Sequence, residues 1–306
     1  NQDGDNQYYD NLRQSYFRNI TNNRGLVTSS TPGAVAVGDY NNDGSVDLFI
    51  TDRFGKEHRL YNNLGDGTFE SNSKWHDSEK GIRKINGYDT EFFDADNDGY
   101  LDLLIAGSTD DQQGQESGLR LLYNNGSGSF INASSLIPDI LGSIDQIDVA
   151  DYDNDGDVDI FLATSQGQIN LLRNDGGNIN NYLNIRLAGL RTGSSKNNYF
   201  GIGAKVEVRA GDLYQVRYMD QPTAHFGLGN RNGADVGCWT ATVSVTLTGG
   251  TLSVSSSEVQ VSSTSYTKVG VGYDTTENKV VFAGSQSSTT YIRAGTVSGS
   301  GATGTV

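Results

Sequence analysis

Oxygen-bearing side chains stand at alternate positions in three short segments of the chain. Asp39, Asn41, Asp43, Ser45 and Asp47 form the first set. Asp94, Asp96, Asp98, Tyr100 and Asp102 form the second, and Asp151, Asp153, Asp155, Asp157 and Asp159 the third. The shared pattern is D-x-[DN]-x-D-G-x-x-D. Alternate residues of a tightly turning loop point inward, so positions 1, 3 and 5 should converge on one point. Gly44, Gly99 and Gly156 at position 6 permit the sharp backbone turn. Position 7 (Ser45, Tyr100, Asp157) can offer its backbone carbonyl, and the Asp at position 9 closes the cage. A calcium ion takes six to eight oxygens, mostly carboxylate and carbonyl, whereas magnesium prefers a tight octahedron with retained waters. About three calcium ions are expected, one per loop. Ordinary Asn/Asp/Gly turns need one or two such residues, not four or five at fixed offsets three times over.

Each loop runs directly into an apolar triplet: Leu48-Phe49-Ile50, Leu103-Leu104-Ile105 and Ile160-Phe161-Leu162. Half-exposed strands would alternate apolar with polar, so these triplets are expected to be strands buried on both faces. The loops begin at residues 39, 94 and 151, a spacing of 55 and 57 that suits one small β-sheet per repeat. A second phrase keeps phase with them. It reads Leu60-Tyr-Asn-Asn63, Leu122-Tyr-Asn-Asn125 and, more weakly, Leu172-Arg-Asn-Asp175. Glycine turns follow, with Phe69 and Phe130 beyond the first two. From loop end to phrase the gap is 14 residues in repeats one and three and 21 in repeat two. The seven extra residues fall in the polar stretch Gly107–Gly118, read as a surface-loop insertion. A single repeat cannot bury both faces alone and must stack on its neighbours. No segment sustains a helical period; one short helical turn is expected near Ser134–Ile140.

Loops, triplets and phrases together resemble FG-GAP/VCBS-type β-propeller repeats. Tyr16-Phe-Arg-Asn-Ile-Thr21 with Gly25-Leu26 resembles the end of a preceding repeat, as though the chain began inside a blade. Tyr182-Leu-Asn-Ile-Arg-Leu187, Gly201-Ile-Gly-Ala-Lys-Val206, Gly211, Gln215-Val216 and His225-Phe-Gly-Leu-Gly229 resemble the ASPIC/UnbV module, which commonly follows such repeats. The likeness covers about residues 13–236. It implies an all-β, extracellular, calcium-binding and non-catalytic protein with a role in adhesion or matrix. Three full repeats fall short of the roughly four to eight blades that close a propeller. Either the chain is cut short, its tail supplies blades, or the array stays open.

Composition divides the chain into three textures. Residues 1–178 are Asp/Asn/Gly-rich repeats, 179–236 a compact β module, and 237–306 a Ser/Thr/Val-rich β tail or extra blade. Hairpins are expected around Gly249-Gly250 and within Tyr273–Ala283, with a further strand at Ile292–Val297. The net charge of −15 argues against a nucleic-acid partner and against docking on anionic lipid. Three bound divalent ions would lift it to −9. No apolar run is long enough for membrane insertion by a helix. Cys238 is the single cysteine, which excludes an intrachain disulfide.

Catalytic constellations are absent from the pattern. His58, His76 and His225 lie in no nucleophile context, and His225 reads as a packing residue. Gly201-Ile-Gly203 precedes no helix, so it is not a dinucleotide site. Asn19, Asn125 and Asn132 start acceptor triplets for glycosylation, which arise often by chance in such chains. The residues therefore point to a non-enzymatic structural or adhesive protein of the cell surface or exterior, of which a self-assembling fibre subunit is one form. Its expected partners are other copies of itself, surface proteins or glycans. The alternative is a glycan-binding module, with 16 Tyr available as sugar platforms. A polysaccharide-degrading enzyme ranks third.

Overall fold

The triplets that leave each Asp-rich loop become central strands, because β-branched and leucine-rich runs bounded by Asn/Gly turns favour short sheets over helices. A computed structural model describes residues 7–11, 16–21, 24–26, 31–73, 75, 85–109, 117–187 and 199–231, with strand backbone between 233 and 304. It is all-β, made of antiparallel sheets. Short 3-10 turns occur at Ser134–Leu136, inside the stretch expected to turn, and at Gly177–Ile179. The chain forms two compact units, one of residues 1–95, 100–153 and 158–174, the other of 96–99, 154–157 and 175–306.

In the first unit, β1 (Tyr9–Asn11) and β2 (Phe17–Asn19) make a hairpin. The first repeat is a four-stranded meander of β3 (Pro32–Gly38), β4 (Asp47–Asp52), β5 (Arg59–Asn63) and β6 (Phe69–Ser71). The second is β7 (Ile85–Phe93), β8 (Asp102–Thr109), β9 (Leu119–Asn124) and β10 (Phe130–Asn132). The third has β11 (Ile144–Ala150), β12 (Asp159–Thr164) and β13 (Ile169–Leu172). Each Asp-rich loop links the first strand of its sheet to the second. The extra residues of repeat two lie between β8 and β9, and 110–116 fall outside the described residues.

The second repeat is buried on both faces. Phe92, Leu103, Ile105 and Leu122 pack against Ala36, Phe49 and Leu60 of the first repeat. Leu104, Ala106, Leu119 and Leu121 pack against Ile144, Ile160 and Leu162 of the third. Each such side chain withdrawn from water is worth about 1.5–3 kcal/mol. The outer triplets depart from the expectation at one position each: Leu48 and Phe161 face away from the second repeat and are half-buried.

Strand register corrects the alignment of the second phrase by one residue. Asn63 pairs with Phe69 and Asn124 with Phe130. Asn124, not Asn125, is therefore the counterpart of Asn63, and Asn174 rather than Asp175 follows in the third repeat. Leu64 in repeat one takes the turn position that Asn125 takes in repeat two, each amide donating to a carbonyl four residues on, Thr68 and Ser129. The doubled Asn hid the offset. The same register recurs in the first hairpin, where Asn11 pairs with Phe17 and the Ile20 amide donates to Tyr8 as Asn72 does to Leu60. Strands β1 and β2 are thus equivalent to the third and fourth strands of a repeat.

These asparagines work as struts. Asn63 Nδ2 donates to Val46 O at 3.0 Å. Asn124 Nδ2 donates to Leu101 O of its own loop and to Tyr40 O of the preceding loop, at 3.0 and 2.7 Å. Asn174 Nδ2 does likewise with Val158 O and Ala95 O, at 3.3 and 2.7 Å. Repeats are joined by buried polar bonds as well as apolar packing.

In the second unit, β14 (Asn181–Ile185) pairs with β17 (Ala224–Gly229), while β15 (Lys205–Ala210) and β16 (Leu213–Tyr218) form a hairpin. The sheet containing that hairpin runs on through β18 (Gly233–Cys238), β19 (Ala241–Thr248) and β20 (Thr251–Ser255) in the order β16-β15-β18-β19-β20. Pairing thus continues across residue 236, where composition changes. Next come β21 (Lys268–Asp274), β22 (Lys279–Gln286) and β23 (Thr289–Gly295) as one sheet, then the pair β24 (Val297–Gly299) and β25 (Ala302–Gly304).

Asn124→Ala should cost about 2–4 kcal/mol, because it strands two buried carbonyls. Asn125→Ala, at an exposed turn, should cost less than about 1 kcal/mol. Urea unfolding of the two variants checks the contrast.

Candidate metal centres

The three loops share one backbone trace. Position 4 is Asn in each, and Asn42, Asn97 and Asn154 have φ of 57°, 59° and 60°. Gly44, Gly99 and Gly156 follow at φ of 91°, 96° and 100°. Asn is the non-glycine residue that most readily enters this left-handed region, so an Asn–x–Gly sequence turns the loop twice at low strain. The invariant Asn at position 4 was a signal in the sequence that a ligand-centred reading passes over.

That trace folds side chains back onto the loop's own amides. Asp39 Oδ1 and Oδ2 accept from the amides of Asp43 and Gly44, each at 3.0 Å. Asn41 Oδ1 accepts from Asp43 N at 3.0 Å, as Asp96 Oδ1 does from Asp98 N at 3.1 Å. Asp43 Oδ1 and Asp155 Oδ1 accept from the position-7 amides of Ser45 and Asp157, at 2.8 and 3.0 Å. Carboxylates at positions 1, 3 and 9 converge. Oxygens of Asp94, Asp96 and Asp102 lie within 4.8 Å of one another, and so do those of Asp151, Asp153 and Asp159. Asp98 and Asp155 at position 5 lie outside these groups. Asp157 at position 7 is buried, with Oδ1 3.4 Å from Asn97 Nδ2. Ser45 and Tyr100, the other position-7 residues, are half-buried.

Position 9 ties the loop to the sheet. Asp47, Asp102 and Asp159 each accept, through Oδ1, the amide of the strut asparagine (Asn63, Asn124, Asn174), all at 2.8 Å. Through Oδ2, Asp102 and Asp159 accept from the position-2 amides of Ala95 and Tyr152. Tyr40 N lies near Asp47 but makes no well-formed hydrogen bond to its Oδ2, which is buried without a partner. Burial, then the charges of Asp43 and Asp39, push the Asp47 carboxyl up to about 8 despite the Asn63 amide. Burial also raises Asp96. Buried, crowded, oxygen-only donor sets of this kind fit a hard divalent cation, whose charge would reverse the upward push on the carboxylates.

Within the second unit, the tips of loops two and three are linked through Asn97. Its Nδ2 donates to Gly156 O at 2.9 Å, and its Oδ1 lies 2.6 Å from His225 Nε2. His225 also contacts Asn184 and stacks on Tyr182, so its role is polar linkage in addition to packing. Burial, then the Arg217 charge, lower it to about 4. The Gly229 amide and Asn180 Nδ2 donate to the carbonyls of Asn97 and Asp96. His58 is buried and its Nδ1 accepts from Asp52 N at 2.9 Å. His76 and the Cys238 side chain fall outside the described residues.

The profile of the FG-GAP-like repeat family matches residues 39–105 and 94–162. Each match starts at the first Asp of one loop and ends in the triplet after the next, so the pair spans all three loops. Neither extends to residues 179–236. No curated protein matches the chain. FG-GAP repeats are typical of extracellular, integrin-like β-propeller proteins and often bind Ca2+.

Gly156→Ala should destabilise the chain by at least about 2 kcal/mol, since a Cβ is strained at this φ and would run into the Tyr182 ring. Urea unfolding measures it. In chelator, Asp47 and His225 move stability with pH in opposite directions. The raised Asp47 keeps a proton in the fold that the unfolded chain has released, so stability falls as pH rises from about 4 to about 8. The lowered His225 works the other way between about 4 and 6.5. Above pH 6.5 the His225 contribution is complete and that of Asp47 continues: the metal-free melting temperature should fall from pH 6.5 to 8, and Asp47→Asn should reduce that fall.

Proposed function

We propose that this chain is a calcium-binding structural or adhesive protein of the cell surface or exterior, acting without catalysis and assembling with copies of itself. The observation that carries the calcium reading is the threefold recurrence of one loop trace, with carboxylates at positions 1, 3 and 9 brought together in loops two and three. The residues that would hold the ions are those at positions 1, 3, 5 and 9, with the position-7 carbonyl. Asn41 makes the first site less charged. When bound, calcium supplies positive charge that holds the loop closed. We read its role as structural: among the described residues, backbone amides and strut asparagines are the groups hydrogen-bonded to the loop carboxylates.

An extracellular setting accords with the repeat family and with calcium abundance outside cells. No helix among the described residues is long and apolar enough to cross a membrane. The reading of 179–236 as an ASPIC/UnbV-like module rests on the sequence likeness of its motifs, two of which, at Asn181–Ile185 and at His225-Phe-Gly-Leu-Gly229, lie in the paired strands β14 and β17. Self-association is supported by large exposed apolar residues at the ends of the repeat series, including Tyr16, Phe17 and Ile169.

Millimolar calcium should raise the melting temperature relative to EGTA, at about 2.7 kcal/mol per site for a hundredfold excess over Kd. Asp94→Asn and Asp151→Asn should each lower the ion count in native mass spectrometry by one, from three. Equal melting temperatures with and without calcium would overturn the reading.

A further inference from the structure

Two strut asparagines are each held by groups from two different loops. In the second repeat the Asn124 amide donates to Oδ1 of Asp102, at position 9 of its own loop. Its Nδ2 donates to the Tyr40 carbonyl, at position 2 of the preceding loop; the two bonds measure 2.8 and 2.7 Å. In the third repeat the Asn174 amide donates to Asp159 Oδ1 and Nδ2 to the Ala95 carbonyl, again at 2.8 and 2.7 Å. Ala95 in turn donates its own amide to Asp102 Oδ2 at 2.8 Å. The bonds form one line, from Asp159 through Asn174 and Ala95 to Asp102, and on through Asn124 to Tyr40.

That line is buried. Asp159, Ala95, Asp102, Asn124 and Tyr40 are at most 6% exposed, and Asn174 is half-buried. A buried donor or acceptor that loses its partner keeps the full cost of its desolvation, so a strut that lets go of one loop strands a carbonyl there. Beyond Tyr40 lies Asp47, position 9 of the first loop, whose Oδ2 is buried with no hydrogen-bond partner. An orphaned buried carboxylate oxygen at that point fits a cation as its missing partner.

We propose that the strut asparagines couple neighbouring ion sites, so that calcium held in one loop raises the affinity of the next. This rests on the calcium reading above and names how those sites are regulated. Crowded carboxylates repel until a cation neutralises them, so a filled loop fixes its position 9. A fixed Asp102 holds the Asn124 amide, and an ordered Asn124 keeps Nδ2 on the Tyr40 carbonyl. The entropy of ordering that side chain is then lost once for two sites, and the second ion meets a loop already held. Asn124 is a positioning residue rather than a ligand, because its Oδ1 accepts from the Gly126 amide at 3.0 Å. The coupling is reciprocal: loop one favours loop two by the same factor.

Native mass spectrometry of the full chain across a calcium titration tests it. Asp151→Asn serves as the parent, leaving loops one and two to fill. The ratio of the second to the first stepwise binding constant measures the coupling. Asn124→Ala in that parent should lower the ratio about fivefold or more. Asn63→Ala is the control. Asn63 Nδ2 bonds Val46 of its own loop, and among the described residues no bond runs from it to another loop. This control should weaken binding without a comparable fall in the ratio. Asn124→Ser, too short to reach the preceding loop, gives the same readout should Asn124→Ala lose its far-UV circular dichroism. An unchanged ratio in the Asn124 variant would overturn the coupling while leaving the calcium reading standing. An equal fall in Asn63→Ala would overturn its assignment to the bond between loops. A parent chain that takes up no calcium would overturn both the coupling and the calcium reading on which it rests.

Discussion

In the second and third loops three carboxylates gathered within 4.8 Å of one another repel, and crowded acidic oxygens of this kind are the constraint around which the repeats are organised. At an effective dielectric constant of ~20, each pair costs on the order of 3 kcal/mol. Backbone amides offset part of this. Position 1 of the first loop accepts two of them, and position 9 accepts the amide of the strut asparagine in every repeat. Donated amides do not cancel the charge: at Asp47 burial first, and then the charges of Asp43 and Asp39, still push the carboxyl up. A divalent cation would remove the remainder, which would couple ion binding to folding.

The sheet gains from the same residues. Position 9 is both the last loop residue and the first residue of the central strand, so the groups that would bind an ion also begin the buried triplet. The strut asparagines carry the arrangement onward, from Asn124 to the loop of repeat one and from Asn174 to that of repeat two. In the second unit, Asn97 joins its own loop tip to that of loop three and to His225. A change at one loop therefore reaches its neighbours through short hydrogen bonds as well as through the shared core.

The loops were legible in the sequence because ligand chemistry demands particular residue types at fixed offsets, and three copies multiply the signal. The triplets were legible because strands buried on both faces leave no polar alternation. The role of position 4 was not, since an Asn there reads as one more turn residue until its φ is known. The phrase register slipped by one because Asn62-Asn63 and Asn124-Asn125 look alike, and only strand pairing shows which Asn meets Phe. The ends of the repeat series depend on which faces are covered, a property of tertiary packing that composition does not carry. His225 looked like packing because its partners, Asn97 and Asn184, are distant in the chain.

An anomalous difference map from crystals grown in millimolar calcium addresses the central claim directly. Three peaks are expected, one per loop, each within about 2.3–2.6 Å of side-chain oxygens at positions 1, 3 and 9. Loops that keep this backbone trace with no peak among those oxygens would contradict it.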